Sequence, residues 1–403
     1  MKWRRVPPVH SPIAPRTLLS AARAALGLGD ERSEALAAQI STRFDARDTV
    51  LTDSGTSALV LALRAAAPPN GVVAMPGYCC IDIVAAAIRA GVRVSLYDTD
   101  PETLSPDLDS LRHALQSGAC AVVVAPLYGY PPDMTAVAKL VADHGIPLIE
   151  DAAQGAGGTL DSKRLGAFGD LTVLSFGRGK GTTAGSGGAL LLRGPRSAEW
   201  AEAARAHLDP ARRGARHIVA LAAQWMFARP ALYSIPASIP ALKLGEMVYR
   251  LAHEPRALGA AAAAVLPTAL ALDDDEVRSR RACAASLMAA AAPARHFSPI
   301  RAVANANPGY LRLAVLDGSG TAAAAPRLGA LRGYPITLDE HPETARVLVN
   351  RQPAIGGARV LRDKLFTLPT HSRVSARDFA RLAEWLGSSA DSVRLPLRAH
   401  EAT

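Results

Sequence analysis

A single lysine among glycines is the first candidate for chemistry in this chain. Residues 175–190 read SFGRGKGTTAGSGGAL, with Lys180 near the centre of the stretch. A phosphate-binding P-loop would need glycine where Leu174 stands and a hydroxyl residue where Gly181 stands. The dinucleotide motif G-x-G-x-x-G also fails, because Thr182 takes the place of its last glycine. The glycines around Lys180 therefore need another explanation.

A helix start earlier in the chain is a candidate anion site. In LTDSGTSALVLAL (51–63), Asp53 or Ser54 can cap a helix that begins with Gly55, Thr56 and Ser57. Free amides and the helix dipole attract an anion there, and glycine lets a phosphate come close. Taken alone, the same residues also describe an ordinary capped helix.

A pair of acids follows a predicted strand. In IEDAAQGAG (149–157), Glu150 and Asp151 stand where the strand ends and its loop begins. A carboxylate in that position either caps the next segment or pairs with a heterocyclic nitrogen.

The three stretches together match the needs of pyridoxal 5′-phosphate. Its phosphate needs amides and hydroxyls, its ring nitrogen needs an acid, and its aldehyde needs an amine to form a Schiff base. Glycines beside Lys180 leave room for the cofactor.

Alternating strands and helices must position these groups. Helical patterns with apolar residues every three or four positions separate the first candidate strands. This series predicts a mostly parallel sheet between two layers of helices, with ligands beyond the carboxyl ends of the strands. The candidate strands are 72–75, 92–96, 121–126, 147–150, 171–176 and 188–193.

The second half of the chain is organised differently. Residues 206–255 are apolar and interrupted by prolines, which is compatible with helical packing, a substrate-covering or interfacial insertion, or a membrane span. Residues 256–292 predict one or two helices with a joint at the aspartates 273–275, a solvated helix start. A strand at 310–316 and a helix at 375–387 indicate a smaller α+β domain. We therefore expect an N-terminal arm (1–20), a large α/β domain (21–205), an insertion (206–255) and a connecting and small domain (256–403).

Composition excludes several classes of protein. The chain has 403 residues, of which 49% are hydrophobic and 20% charged, as in a globular protein of two domains or of one large domain with an appendage. Its net charge of +9 comes from scattered arginines without a basic block, which argues against nucleic-acid binding. The four cysteines lack zinc or disulfide spacing, no metal site is expected, and the proline-rich N-terminus does not resemble a signal peptide. We expect a cytoplasmic protein.

Several motifs in order resemble the DegT/StrS-type sugar aminotransferases, which belong to fold type I of the pyridoxal-phosphate enzymes. The resemblance covers about residues 11–200 and resumes at 256–290 and 365–386. It rests on SGTSAL (54–59), PLYGYPPDM (126–134), HGIPLIEDAAQ (144–154), FGDLTVLSFGRGK (168–180) and GGAL (187–190).

The resemblance implies a role for each matching residue. Lys180 would form the Schiff base and shuttle a proton, Asp151 would pair with the pyridinium nitrogen, and Gln154 would lie beside the ring. The phosphate would be held by the amides of Gly55, Thr56 and Ser57 with the hydroxyl of Ser175. Lysine rather than histidine at 180 favours amino transfer over removal of a hydroxyl. The implied reaction moves an amino group from an amino acid, expected to be glutamate, to a nucleotide-linked keto-sugar, in a homodimer that makes amino sugars for polysaccharides or secondary metabolites.

Two segments depart from the family pattern. Cys80 stands where the family has an aromatic residue that stacks on the cofactor, and Tyr78 is the available substitute. The segment EPRA (254–257) lacks an asparagine that reaches the neighbouring subunit in the family. With the apolar insertion upstream, this favours an acceptor that has an apolar part or is delivered at a membrane surface through 217–245.

Other assignments stay open. Tyr128 and His371 are candidates for substrate contact, although Tyr128 is equally compatible with packing and His371 with the end of a strand. A further hypothesis is that the chain catalyses a different pyridoxal-phosphate-dependent reaction on the same fold. A catalytically inactive binding or regulatory protein is the alternative of a different class: Cys80 and the missing asparagine favour it, while intact Lys180, Asp151 and Ser175 oppose it.

Overall fold

The computed structural model describes residues 4–28, 33–155, 157–211, 216–245, 247–292, 296–350 and 353–387. Its strands are β1 (Asp48–Thr52), β2 (Val72–Pro76), β3 (Arg93–Tyr97), β4 (Ala121–Val124), β5 (Leu148–Asp151), β6 (Thr159–Leu160), β7 (Lys163–Arg164), β8 (Leu171–Ser175), β9 (Gly188–Leu192), β10 (Phe297–Pro299), β11 (Ala306–Asn307), β12 (Leu313–Asp317), β13 (Leu331–Arg332) and β14 (Leu365–Leu368). Its helices are α1 (Pro15–Ala25), α2 (Ser33–Phe44), α3 (Gly55–Ala66), α4 (Asp82–Ala90), α5 (Leu108–Gln116), α6 (Met134–Ala142), α7 (Ser197–Ala206), α8 (Arg216–Phe227), α9 (Ser234–Ala237), α10 (Ala260–Ala291), α11 (Gly356–Lys364) and α12 (Ala376–Trp385).

A seven-stranded sheet forms the centre of the fold, in the order β1-β9-β8-β5-β4-β2-β3. Strands β8, β5, β4, β2 and β3 run parallel, while β9 is antiparallel to both β8 and β1. The parallel strands are rich in valine, isoleucine and leucine because helices cover both of their faces. The predicted strands and the mostly parallel sheet are confirmed, and β1 is a strand that the sequence analysis missed.

The antiparallel turn from β8 to β9 decides where Lys180 lies. Residues 176–187 leave the carboxyl end of β8 and return directly to the sheet instead of crossing over through a helix. Lys180 is in this connection, so it lies at the same sheet edge as the end of β5. The sheet order thus brings two candidate groups together that are 29 positions apart in the chain.

The second half of the chain contains smaller sheets and one long helix. Strands β10, β12, β14 and β13 form an antiparallel four-stranded sheet, which packs against α12 through Phe297, Phe366 and Trp385. Strands β11, β6 and β7 form a further small sheet. The domain boundaries predicted at 20, 205 and 255 stay predictions.

The predicted joint in the alanine-rich segment is wrong, because α10 continues through the aspartates for 32 residues. Asp273 is 6% exposed and pairs with Arg43 at 3.3 Å, so it is not a solvated helix start. Asp274 pairs with Arg43 at 2.9 Å and with Arg164 at 3.1 Å. These tertiary ion pairs neutralise the acidic run and allow the helix to continue.

Residues 216–245 contain α8 and the short α9, and several of their large apolar side chains lie at the surface. No helix in the described ranges combines the length and apolar character needed to cross a membrane. The exposed apolar residues are between 41% and 67% accessible: Val219, Met226, Ile235, Ile239 and Leu242.

Candidate active site

One pocket opens where β5, β8 and the start of α3 meet. Seven residues singled out from the sequence line it: Gly55, Thr56, Cys80, Asp151, Gln154, Ser175 and Lys180. They come from four separate parts of the chain and reach one place because the carboxyl ends of parallel strands share one edge of the sheet.

The helix α3 begins with an N-cap that is formed by a serine side chain. Ser54 is extended, with φ −160° and ψ 160°, and its Oγ accepts a hydrogen bond from the amide of Ser57 at 3.1 Å. The Ser57 hydroxyl donates to Asp53 at 2.6 Å, and Ser57 is buried. The cap therefore uses the Ser57 amide, whereas Gly55 and Thr56 border the pocket. Of the three amides predicted to hold phosphate, two are at the pocket wall.

Gly55 allows β8 to approach this helix start closely. A Cβ on Gly55 would lie 2.7 Å from Cβ and 3.0 Å from Oγ of Ser175. The Ser175 hydroxyl has no hydrogen-bond partner within the described part of the chain, and it lies against the first turn of α3. An anion placed here would meet helix amides and a free hydroxyl, as a phosphate requires.

Asp151 and Lys180 are charged residues of the pocket lining, which also contains Asp82. Burial raises the pKa of Asp151, while the charge of Lys180 opposes that rise. The Asp151 carboxylate accepts one amide bond, from Ala153 at 3.2 Å. A carboxylate that is partly desolvated and only once hydrogen-bonded retains capacity for a cationic partner from a ligand.

Gln154 is fixed between two tyrosines. Its Oε1 accepts from the Tyr128 amide at 3.3 Å, and its Nε2 donates to the Tyr334 hydroxyl at 2.7 Å. Tyr334 is a residue that the sequence analysis missed, since it stands in a segment without any recognisable motif.

Cys80 and Tyr78 have different surroundings. Cys80 lines the pocket, and burial raises its pKa to about 12, so its thiol stays neutral and is not a nucleophile. Tyr78 is 1% exposed, lies outside the pocket wall, and accepts a hydrogen bond from the Tyr334 amide at 2.7 Å. The structure therefore does not bring Tyr78 to the other predicted cofactor residues.

The two proposed substrate contacts are also outside the pocket wall. Tyr128 is buried with a ring centroid 6.2 Å from that of Tyr334, and it reaches the site through its backbone contact with Gln154. His371 is 2% exposed and its Nε2 contacts the Pro7 carbonyl at 2.8 Å. Burial lowers the pKa of His371 to about 4, which keeps the ring neutral. Substrate contact by either residue stays a prediction.

Glu150 has a structural role, and the predicted cap on the next segment is made by Asp151 instead. Glu150 is fully buried inside β5 and accepts the amides of Gly166, Phe168 and Gly169 at 2.6–3.2 Å. It therefore organises the loop before β8, and only the neighbouring Asp151 borders the pocket.

The N-terminal arm contacts the backbone of the connection 176–187, which is called the lysine loop below. No sequence pattern indicated this contact. The Ser11 hydroxyl donates to the Lys180 carbonyl. Arg280 of α10, which is 0% exposed, donates to the carbonyls of Gly181 at 3.3 Å and His10 at 2.9 Å. The backbone of the loop is thus held at the carbonyls of Lys180 and of the residue that follows it.

The pocket residues fit pyridoxal phosphate. Gly55 brings the first turn of α3 against the Ser175 hydroxyl, Asp151 accepts a single hydrogen bond, and Lys180 supplies an amine to the same pocket. Each of these features corresponds to one functional part of the cofactor.

Comparison with known proteins gives a consistent result. Curated relatives include L-glutamine:2-deoxy-scyllo-inosose aminotransferase of Streptomyces kanamyceticus, 33% identical over 36% of this chain and 34% of the relative. Another is dTDP-4-dehydro-2,3,6-trideoxy-D-glucose 4-aminotransferase of Saccharopolyspora spinosa, 32% identical over 38% of this chain and 40% of the relative. The chain therefore matches less than half the length of these two relatives.

Solved structures resemble nearly the whole chain. The aminotransferase TlmJ from Streptoalloteichus hindustanus superposes with a TM-score of 0.74 over 94% of this chain and 97% of that one, at 22% identity. This likeness confirms the expected fold type I architecture. The family model described as the DegT/DnrJ/EryC1/StrS aminotransferase family matches residues 20–222. The chain belongs to the DegT/DnrJ/EryC1/StrS aminotransferase family.

Proposed function

We propose that this protein is a pyridoxal 5′-phosphate-dependent aminotransferase. The observation that carries the proposal is the pocket itself, which Lys180, Asp151, Gly55 and Ser175 all line. Membership of an aminotransferase family supports it independently.

Each residue has a task that follows from its chemistry. When bound, pyridoxal phosphate supplies an aldehyde that links to amines and a ring that withdraws electrons from the attached carbon. Thr56, Gly55 and Ser175 hold the phosphate, and Asp151 keeps a proton at the ring nitrogen by charge pairing. Lys180 provides the amine at Nζ, and once that amine is free it accepts and returns a proton as general base and acid.

The substrates we propose are glutamate as donor and a nucleotide-linked keto-sugar as acceptor. The names of the two curated relatives support a cyclic ketone, since one contains an inosose and the other a dTDP-linked dehydro-sugar. The product would be an amino sugar for polysaccharide or secondary-metabolite synthesis. We also propose a cytoplasmic homodimer by analogy with the family.

A peripheral contact with a membrane is the role we propose for the surface of 217–245. The exposed Val219, Met226, Ile235, Ile239 and Leu242 support it. A protein bound at a membrane surface would meet an acceptor that carries an apolar group.

A catalytically inactive binding or regulatory protein is the competing function. Cys80 at the pocket wall favours it, because a small thiol replaces the flat surface that an aromatic residue would offer to a ring. Ser175, Asp151 and Lys180 in the same pocket favour catalysis instead.

The test is the absorption spectrum of the purified protein with pyridoxal phosphate, before and after glutamate or glutamine. We expect a visible cofactor band that the donor bleaches and that borohydride fixes covalently. Lys180→Ala should abolish the fixation. Lys163→Ala is the matched control, because Lys163 is an exposed strand residue whose Nζ lies 5.1 Å from the Phe168 ring. A protein that stays colourless with added cofactor would contradict the enzyme and support the binding role.

A further inference from the structure

Tyr334 connects the second half of the chain with the wall of the pocket. It follows β13 by two positions, and the Gly333 amide donates to the Leu365 carbonyl of β14 at 2.8 Å. The antiparallel sheet therefore fixes the backbone from which the Tyr334 side chain extends. The Tyr334 hydroxyl accepts a hydrogen bond from Nε2 of Gln154 at 2.7 Å, and Gln154 lines the pocket.

Tyr78 holds the backbone of Tyr334 from the large sheet. The Tyr334 amide donates to the Tyr78 hydroxyl at 2.7 Å, and the two ring centroids lie 5.4 Å apart. A Cβ on Gly333 would collide with the Tyr78 hydroxyl oxygen, so glycine at this position is what allows the hydrogen bond. Tyr78 is buried in the segment that follows β2. Tyr334 is thus supported by both sheets.

The two ends of the Gln154 amide are distinguished by their partners. The backbone amide of Tyr128 can only donate, so the atom that faces it at 3.3 Å must be the carbonyl oxygen Oε1. Nε2 is then the atom that faces the Tyr334 hydroxyl. One hydrogen of Nε2 is committed to Tyr334, and the other has no acceptor within the described ranges. Gln154 therefore offers a pocket ligand an N–H donor at a fixed place.

The Tyr334 hydroxyl is a constant acceptor at neutral pH. Burial raises the pKa of Tyr334 well above its ordinary value, so the phenol stays protonated. Phenylalanine would keep the ring beside Tyr78 and Tyr128, whose centroids lie 5.4 Å and 6.2 Å away. It would leave Nε2 of Gln154 without its acceptor, while Oε1 would still face the Tyr128 amide. The substitution therefore removes one constraint on the amide and little else.

We propose that Tyr334 is a positioning residue, which orients the Gln154 amide so that the second N–H of Nε2 donates to the phenolic oxygen of the cofactor. The inference rests on the proposed pyridoxal-phosphate function, and it adds the residue that sets the direction of this hydrogen bond. Tyr334 itself does not contact the cofactor in this arrangement. A donor that is already held in place loses less conformational freedom on binding, which raises the affinity for the cofactor.

Equilibrium dialysis with two cofactors tests this role. The probes are pyridoxal phosphate and 3-deoxypyridoxal phosphate, which lacks the phenolic oxygen. We expect Tyr334→Phe to weaken binding of pyridoxal phosphate by about 3–10-fold, as for one neutral hydrogen bond. Its affinity for the deoxy compound should stay within about 2-fold of that of the unchanged protein. An equal loss for both cofactors would show a general loosening of the pocket and would overturn the inference.

A double variant shows whether Tyr334 acts through Gln154. In a Gln154→Ala background, Tyr334→Phe should have no further effect on the affinity for pyridoxal phosphate, because the amide that the tyrosine orients is gone. A loss of the same size with and without Gln154 would mean that Tyr334 contacts the ligand directly. That outcome would also overturn the inference.

Tyr97→Phe is the matched control. The Tyr97 hydroxyl is buried and donates to the Val123 carbonyl at 2.8 Å, and Tyr97 is not among the residues that line the pocket. This variant loses a buried tyrosine hydroxyl without touching Gln154, so it should bind both cofactors as the unchanged protein does. A loss confined to pyridoxal phosphate in Tyr97→Phe as well would contradict a specific role of Tyr334.

The unchanged protein reports separately on the proposed function. If a donor bleaches its visible cofactor band, while Tyr334→Phe binds both cofactors within about 2-fold of the unchanged affinities, the aminotransferase stands and this inference alone is overturned. If the unchanged protein binds neither cofactor, the proposed function is overturned and the inference with it.

Discussion

The contact between Gly55 and Ser175 is the tightest constraint in the pocket. Gly55→Ala would place a Cβ 2.7 Å from the Ser175 Cβ, so either α3 or β8 must shift. We expect a loss of about 1–3 kcal/mol in the free energy of unfolding and weaker cofactor binding. Urea denaturation and a cofactor titration measure the two effects.

A control for this substitution is available in the second half of the chain. Gly356 begins α11, and a Cβ there would have no atom within 4 Å. Gly356→Ala should leave cofactor affinity unchanged and keep or slightly increase stability. If the two alanine variants had the same stability and the same cofactor affinity, the close contact at Gly55 would not shape the cofactor site.

We expect Asp151 to lower the stability of the folded, cofactor-free protein and to support catalysis. Its pKa in the folded protein is raised above 3.8, so the unfolded chain loses the proton first as the pH rises. Folded-state stability therefore falls as the pH rises from 3.8 through the raised pKa and stays low above it. Asp151→Asn removes this loss, so the cofactor-free variant should melt at a higher temperature than the unchanged protein at neutral pH.

The same substitution should lower the rate of amino transfer by about 10²–10³-fold, because it removes a charge that stabilises the transition state. Thermal melts across pH and single-turnover bleaching of the cofactor band measure the two effects. The melting difference should vanish below pH 3.8, where the carboxyl is protonated in both states. A variant that is less stable at neutral pH and equally active would argue against the proposed role.

The pocket residues that could be named from the sequence are those whose chemical type is required by the reaction. Lys180 and Asp151 could be named because an amine in a glycine-rich loop and an acid at a strand end suggest cofactor chemistry, and Ser175 could be named through the family resemblance. Tyr334 and Ser11 could not, since their contacts with Gln154 and the Lys180 carbonyl depend on tertiary packing of distant segments. The orientation of the Tyr78 side chain could not be predicted either, because its hydroxyl accepts a hydrogen bond from the amide of the distant Tyr334.

At the scale of elements, α10 supports the lysine loop through Arg280. Arg280→Leu would remove the donor to Gly181 and His10 and leave buried Glu276, 3.9 Å from Arg280 Nε, without its cation. Removing one partner of a buried charge pair costs about 3–5 kcal/mol of unfolding free energy. Denaturant unfolding measures the loss.

Arg278 provides the comparison on the same helix. Its side chain is 70% exposed and pairs with Asp275 at the surface, where an ion pair contributes little. Arg278→Leu should change the free energy of unfolding by less than about 1 kcal/mol. If both leucine variants unfold alike, Arg280 does not anchor the loop.

The elements themselves were predictable to different degrees. Buried parallel strands such as β4 (AVVV) and β8 (LTVLS) stand out as apolar runs bounded by loops. The strand β1 (DTVLT) lacks a continuous apolar run and pairs at the sheet edge, so no local pattern revealed it. The continuity of α10 depends on Arg43 and Arg164, which stand far away in the chain.

At the scale of the whole molecule, the surface of 217–245 should bind anionic membranes. Ile235 and Ile239 are 49% and 46% exposed, and the net charge of +9 adds long-range attraction to acidic lipids. Ile235→Glu with Ile239→Glu replaces apolar contact by repulsion. We expect the unchanged protein to sediment with phosphatidylserine vesicles at low salt, and the double variant to lose at least about 10-fold in partitioning.

A matched double variant separates local contact from general hydrophobicity and charge. Leu19 and Leu26, at α1 and its end, are 68% and 74% exposed, and changing both to glutamate alters the net charge equally. Vesicle binding should fall much less in that variant than in the isoleucine variant. Equal losses would show that net charge alone drives binding. A shift in sedimentation mass without lipid, confined to the isoleucine variant, would instead assign the surface to contact between two copies of the chain.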